Sequence, residues 1–265
     1  MSRLEKMQKE LAEYWGTRAY SYSQENERDF TDRITKAWVN ELERHIKEAF
    51  PEKKPSEIRF MEVATGPGTF SIMMARAGYA VTAIDLSPGM LEKARENAAA
   101  AGVEDKIDFR LMNAEEMTFE DNTFDVIFNR WATWLLPRPE KAYSEWLRVL
   151  DKGGIMLVYD GNNAVRMYDK KAEEEYQKRE EERPYTYTDK DGNLLPPEFY
   201  EKLNSNVRDI AMSYIIRPQW DRCVLTAYGA KVHIEENVMN TIIPDFVDGN
   251  TATMQVFLVK AEKQQ

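Results

Sequence analysis

The sequence predicts an α/β fold built on an open, mainly parallel sheet. Three observations carry that reading. The first is the stretch Arg59-Phe-Met-Glu-Val-Ala-Thr-Gly-Pro-Gly-Thr-Phe70, an apolar run that enters a glycine turn and then a helical pattern. The second is the repeated alternation of short apolar strands with helices as far as Asp160. The third is composition: 265 residues, 43% of them hydrophobic, suffice for one sizeable α/β core with an insertion.

Residues 1 to about 22 read as an amphipathic helix, with Leu4, Met7, Leu11 and Tyr14 or Trp15 on one stripe. Its end gathers Tyr14, Trp15, Tyr20 and Tyr22 around Gly16. Two readings stay open there: a helix docked on the core, or a lid over a ligand. A second helix, about 31 to 50, carries Ile34, Trp38, Leu42, Ile46 and Phe50 on one stripe, with His45 beside it as a core-boundary residue.

The first strand is Ile58 to Val63, turning at Gly66 and Gly68 into a helix from Thr69 to about Ala77. A second strand, Ala80 to Ile84, ends in Asp85. The glycines let the backbone approach a ligand, and the helix start offers unpaired N–H groups. An acid at the second strand tip can accept both ribose hydroxyls, and the Gly66-to-Asp85 spacing is close to the roughly 20 residues this requires. Ser71 stands where a dinucleotide fingerprint has its third glycine.

Ser87-Pro88 reads as an N-cap and first helical residue, with the helix stopping at Gly102. Met90 lies in its first turn, either as core or packed on a purine. The third strand, Ile107 to Met112, ends in Asn113-Ala-Glu-Glu. The fourth, Phe124 to Phe128, ends in Asn129-Arg-Trp-Ala-Thr-Trp134. Ligands sit beyond the C-terminal ends of parallel strands, which places Asn129, Arg130 and Trp131 at the expected reaction centre. A helix from Glu140 to Leu150 and the turn Asp151-Lys-Gly-Gly lead to a fifth strand, Ile155 to Tyr159. That strand ends in Asp160-Gly-Asn-Asn163, as turn chemistry or as substrate contact.

Residues 164–217 read as an insertion. Lys170 to Arg183 is a solvated helix of mixed charge, and Pro197 to Met212 is helical again. Tyr168, Tyr185, Tyr187, Phe199, Tyr200 and Tyr214 are pocket walls or ordinary packing. Asp189, Asp191 and Asn193 do not meet the calcium-loop spacing, because Gly192 falls at the fourth position and Tyr200 at the twelfth. A last helix begins at Arg217-Pro-Gln-Trp220, and residues 230–238 and 253–261 alternate as strands, with His233 at the sheet edge.

The run Glu62-Val-Ala-Thr-Gly-Pro-Gly68 resembles the first motif of the class I S-adenosylmethionine-dependent methyltransferases, with Ala64 for its first glycine. That exchange is mild where the residue has negative φ. Asp85, Asn113-Ala114, Asn129 and Gly153-Gly154 follow in the family's order. The resemblance implies a Rossmann-like sheet of order 3-2-1-4-5-7-6 with the last strand antiparallel. It divides the chain into an N-terminal helical lid (1–50), a cofactor domain (51–163 and 218–265) and an inserted cap over the acceptor pocket (164–217). S-adenosylmethionine would be the cofactor, held by Tyr14, Trp15, Glu62, Ala64, Gly66, Gly68, Asp85, Leu86, Met90, Asn113, Ala114 and Asn129. Arg130, Trp131, Trp134, Asp160, Asn162, Tyr168 and Trp220 would meet the acceptor.

The implied reaction is direct displacement onto a nitrogen, oxygen or sulfur of a small molecule. Should the acceptor need to lose a proton, Asp160, Tyr20 and His233 are the candidate bases. Asp160 near several tryptophans also suits a cationic or amine acceptor. A net charge of -10 disfavours nucleic acid, and no apolar run reaches membrane-spanning length. One cysteine, Cys223, excludes a disulfide within the chain and a multi-cysteine metal site. These features fit a cytoplasmic monomer or homodimer without a metal. An NAD-dependent oxidoreductase and a non-catalytic cofactor-binding module are the rival readings.

Overall fold

The computed structural model describes residues 2–162, 164–182, 187–244 and 256–264. Asn163, Tyr185 and residues 253–255 of the expected last strand lie outside them, as does the side chain of Tyr200.

Helix α1 (Arg3–Asp29) starts on a reciprocal cap: Ser2 Oγ accepts from the Glu5 backbone N–H at 3.2 Å, and Glu5 accepts from the Ser2 N–H at 2.8 Å. It continues past the expected end near residue 22. Gln24, Glu25, Glu27 and Arg28 are good helix formers that carry no apolar period. Helix α2 (Asp32–Ala49) buries Trp38, Leu42 and Ile46.

Strands β1 (Arg59–Val63), β2 (Ala80–Asp85), β3 (Ile107–Leu111), β4 (Phe124–Arg130) and β5 (Leu150–Asp160) pair in parallel, with helices α3 (Thr69–Arg76), α4 (Pro88–Ala100) and α5 (Pro139–Val149) as crossovers. Beyond β5 come α6 (Lys170–Glu182), α7 (Pro197–Asp209), α8 (Gln219–Ala227), β6 (Ala230–Glu235), α9 (Met239–Ile242) and β7 (Phe257–Lys263). Strand β7 inserts antiparallel between β5 and β6, giving the order β3-β2-β1-β4-β5-β7-β6 among the described residues. This is the expected topology.

The sheet separates two cores because strand side chains alternate. On β5, Ile155, Leu157 and Tyr159 pack against α2 and α3, whereas Met156 and Val158 pack against α5 and α8. Parallel strands buried on both faces explain the near-continuous apolar runs. A third, small cluster joins Leu11 of α1 to Ile210 and Met212 after α7.

Helices α1 and α4 touch backbone to backbone. A Cβ on Gly89 would lie 2.8 Å from the Gly16 Cα and 3.0 Å from its carbonyl oxygen. Only a glycine at position 89 lets α1 lie this close to the strand tips.

Candidate functional site

The tips of β1 and β2 are tied together by one carboxylate. Asp85 accepts from the Gly66 N–H at 2.9 Å and from the Ser87 N–H at 2.8 Å, one bond to each oxygen. Each oxygen keeps a further lone pair. Burial pushes the Asp85 carboxyl up, and the backbone donors pull against that shift. Gly66 and Gly68 have φ of 55° and 85°, and Gly68 is the N-cap of α3. Ala64 has φ of 56°, so the expectation of a negative φ is corrected. An alanine in the left-handed region costs on the order of 1 kcal/mol.

Glu62 lies beneath this turn. It accepts from Thr65 Oγ1 at 2.7 Å and from Ser71 Oγ, so one carboxylate braces both the loop and the first turn of α3. Ser71 is thus the partner of Glu62. Burial pushes the Glu62 carboxyl up to about 7 against those bonds.

A cavity opens over the strand tips. Its floor is Ala64, Gly66, Ile84, Asp85, Leu86, Ser87 and Met90. One wall is Met112, Asn113, Ala114 and Glu115; another is Arg130, Trp131, Ala132 and Leu135 to Pro137. Gln8, Leu11, Ala12, Trp15 and Tyr22 of α1 close it, at helical spacing. The Gln8 amide donates to Glu115 Oε2 at 3.0 Å, and Glu115 also receives the Arg138 backbone N–H (2.7 Å) and guanidinium (2.9 Å). Gln8 and Glu115 were missed from sequence. The stripe 8-11-12-15 carries a signal for Gln8; the burial of Glu115 carries none.

Of the expected cofactor residues, Trp15, Ala64, Gly66, Asp85, Leu86, Met90, Asn113 and Ala114 line the cavity. Tyr14 does not; it is buried and stacks on Phe199 with ring centroids 4.4 Å apart. Gly68 approaches α4 at Ala94 instead. Asn113 Oδ1 accepts from the Glu115 N–H at 2.9 Å, which fixes its amide orientation. Asn129 donates to the Val63 carbonyl at 2.8 Å, and its buried Oδ1 has no hydrogen-bond partner among the described residues.

Arg130 and Trp131 line the cavity, but the other expected acceptor residues do not. Asp160 is fully buried. It receives the Arg217 guanidinium (2.6 Å), the Thr133 hydroxyl, and the backbone N–H groups of Trp134 (3.2 Å) and Gly161 (2.8 Å). These donors engage it away from the cavity lining, so its expected roles as base and as attractor of a cation are corrected. Asn162 exchanges two hydrogen bonds with the Arg217 backbone, each 3.0 Å. Trp134 donates its indole N–H to the Trp131 carbonyl at 3.1 Å. Trp220, on α8, packs toward Tyr143, and Tyr168 is exposed at the surface.

The remaining candidate bases are also displaced. Tyr20 faces Lys93 on α4, with the ammonium 5.6 Å from its ring centre. His233 sits on the outermost strand, its side chain 69% exposed. Tyr22 is the α1 tyrosine at the cavity, and burial pushes its hydroxyl up.

The cavity fits a nucleoside with a vicinal diol. Asp85 offers two acceptors beside a backbone turn, and Ile84, Leu86 and Met90 offer apolar surface for a flat base. Two buried polar atoms without hydrogen-bond partners among the described residues, Trp15 Nε1 and Arg130 Nε, belong to cavity-lining residues. Among the described residues no group of His, Cys, Asp and Glu is arranged to hold a metal, and no helix is long and apolar enough to cross a membrane.

Comparison with known proteins agrees with this geometry. Residues 61–158 match the methyltransferase-domain family. A phosphatidylethanolamine N-methyltransferase of Cereibacter sphaeroides is 38% identical over 100 residues, which are 38% of this chain and 49% of that protein. The ubiquinone/menaquinone biosynthesis C-methyltransferase UbiE of Roseobacter denitrificans is 36% identical over 104 residues, 38% of this chain and 42% of the relative. The chain thus spans about half or less of the length of these curated relatives. A solved structure from Methanococcus maripaludis, described as an S-adenosyl-L-methionine-dependent methyltransferase, superposes with a TM-score of 0.57 at 18% identity, covering 93% of this chain and 92% of that one. Residues 61–158 thus carry the likeness to a methyltransferase domain, and the sheet around them has the expected strand order.

Proposed function

We propose that this chain transfers a methyl group from S-adenosylmethionine to a small-molecule acceptor that is already nucleophilic when it binds. The observation that carries the proposal is the Asp85 carboxylate, fixed by the Gly66 and Ser87 N–H groups at the floor of the cavity. Asp85 would hold the ribose diol, Met90 and Leu86 the purine, and Asn113 and Ala114 the purine edge. The cofactor supplies an electrophilic methyl. The protein's part is to align the acceptor behind it and to exclude water.

Helix α1 acts as the lid in this account. Trp15 and Tyr22 cover the cavity, and Gln8 latches across it to Glu115. Residues 164–217 act as a cap, joined to the lid by the Tyr14–Phe199 stack and by the Arg18 guanidinium, 3.2 Å from the Tyr187 ring centre.

The acidic groups lining the cavity are engaged among the described residues: Asp85 by backbone donors, Glu115 by Arg138 and Gln8. No residue there is poised as a free base, which favours acceptors carrying their own lone pair at working pH, such as a neutral amine or a thiolate. Formation of S-adenosylhomocysteine, followed by mass spectrometry across an acceptor panel, tests this. The expected rate profile rises with pH along the acceptor's own pKa and shifts when the acceptor is changed. A profile that stays fixed across acceptors of different pKa would instead reveal a base on the protein.

A further inference from the structure

Arg130 is the terminal residue of β4 and lines the cavity. Its guanidinium lies 3.9 Å from the Trp131 ring centre, 5.2 Å from Phe30, and 5.5 Å from both Trp38 and Phe70. Its Nε is buried without a hydrogen-bond partner, and among the described residues no carboxylate forms an ion pair with it. Among the described residues the arginines Arg217 and Arg18 are buried and paired, Arg217 with Asp160 and Asp221, Arg18 with Glu25. Aromatic faces stabilise a guanidinium but accept none of its five directed N–H bonds. Burial accordingly disfavours its charge.

Position gives this cation a separate task from Asp85. Strands β2 and β4 flank β1 on opposite sides, so their tips are two strand spacings apart, roughly 10 Å. Asp85 faces the β2 end of the cavity and Arg130 the β4 end. A guanidinium matches a planar or tetrahedral oxyanion in a two-point arrangement.

We propose that Arg130 is an oxyanion receptor, binding a carboxylate or phosphate-type group of the ligands that occupy this cavity. The inference rests on the proposed function and deepens it. Two sources share this chemistry: the amino-acid carboxylate of the cofactor, or an anionic group on the acceptor.

The test is calorimetric titration of wild type, Arg130→Gln and Arg130→Lys with two ligands. S-adenosylhomocysteine carries the amino-acid tail, and 5′-methylthioadenosine has the same nucleoside thioether without it. Binding of S-adenosylhomocysteine weakened roughly ten- to a hundredfold in Arg130→Gln, with methylthioadenosine unchanged, supports the cofactor carboxylate as the anion. Unchanged binding of both, together with inorganic phosphate or acetate binding to the wild-type S-adenosylhomocysteine complex but not to the Arg130→Gln complex, supports an anionic acceptor. Unchanged nucleoside binding without phosphate or acetate binding overturns the receptor. Arg130→Lys keeps a charge without the fork and carries the same comparison should Arg130→Gln fail to fold; an intermediate loss is expected. Failure of wild type to bind either nucleoside strikes the methyltransferase reading itself, and is distinguished by its independence of Arg130.

Discussion

At the scale of single residues, Glu62 gives a pH-dependent prediction. Its carboxyl is pushed from 4.5 to about 7 by burial. Folding therefore favours its protonated form, and this contribution is complete below the unfolded value and lost as pH rises through about 7. Glu62→Gln keeps a carbonyl for Ser71 and Thr65 but does not ionise. Denaturant unfolding of the two proteins should diverge between about pH 5 and pH 8, the variant gaining stability relative to wild type by up to about 3 kcal/mol. Stability curves that run parallel across that range would contradict a buried, reluctant acid. The sequence showed that an acid precedes the glycine turn but not that Ser71, nine residues later, holds it. The place of Asp85 at the strand tip was legible because it depends on a local spacing. Asp160 was not, because its partner Arg217 lies 57 residues away and only the folded sheet brings them together.

At the scale of elements, the site depends on how closely α1 approaches α4. The sequence marked α1 as amphipathic and aromatic, which is why both a lid and a docked helix fitted it. It did not show the Gly16–Gly89 crossing, because a glycine in a helix reads as a weak position until its neighbour is known. Gly89→Ala would place a methyl 2.8 Å from the Gly16 Cα. The expected result is a loss of about 1–3 kcal/mol in stability by overpacking. Binding of S-adenosylhomocysteine should weaken with it, because Trp15 and Tyr22 move with the helix. Thermal denaturation and titration of this variant check both effects; wild-type values in each would show that α1 does not set the cavity wall. The loop after β4 has a similar hidden dependence. Asp160 receives Thr133 and Trp134 from that loop and Arg217 from just before α8, so this buried cluster holds the loop that lines the cavity.

At the scale of the whole molecule, strand order and the place of the site were legible together. A parallel sheet with both faces covered dictates apolar runs, and its C-terminal edge is where turns and helix starts face a ligand. The residues that line the cavity come mainly from those tips: Gly66, Asp85, Asn113 and Arg130. Expected site residues beyond β5 fared differently. Asn162, Tyr168, Trp220 and His233 sit in the turn after β5, the inserted segment, α8 and β6, where periodicity gives an element but not its distance from the cleft. The charge balance of the cleft changes with them. Asp160 is paired with Arg217 away from the cavity, and the basic side chain of Arg130 lines it.

In the proposed function Asp85 holds a nucleoside at the β1–β2 tips. Calorimetric titration of wild type and Asp85→Ala with S-adenosylhomocysteine and with NAD tests it most directly. Saturable binding of S-adenosylhomocysteine to wild type is expected, with a loss of roughly tenfold or more in the variant and no binding of NAD. Binding of NAD alone, or S-adenosylhomocysteine binding that is indifferent to Asp85, would contradict it.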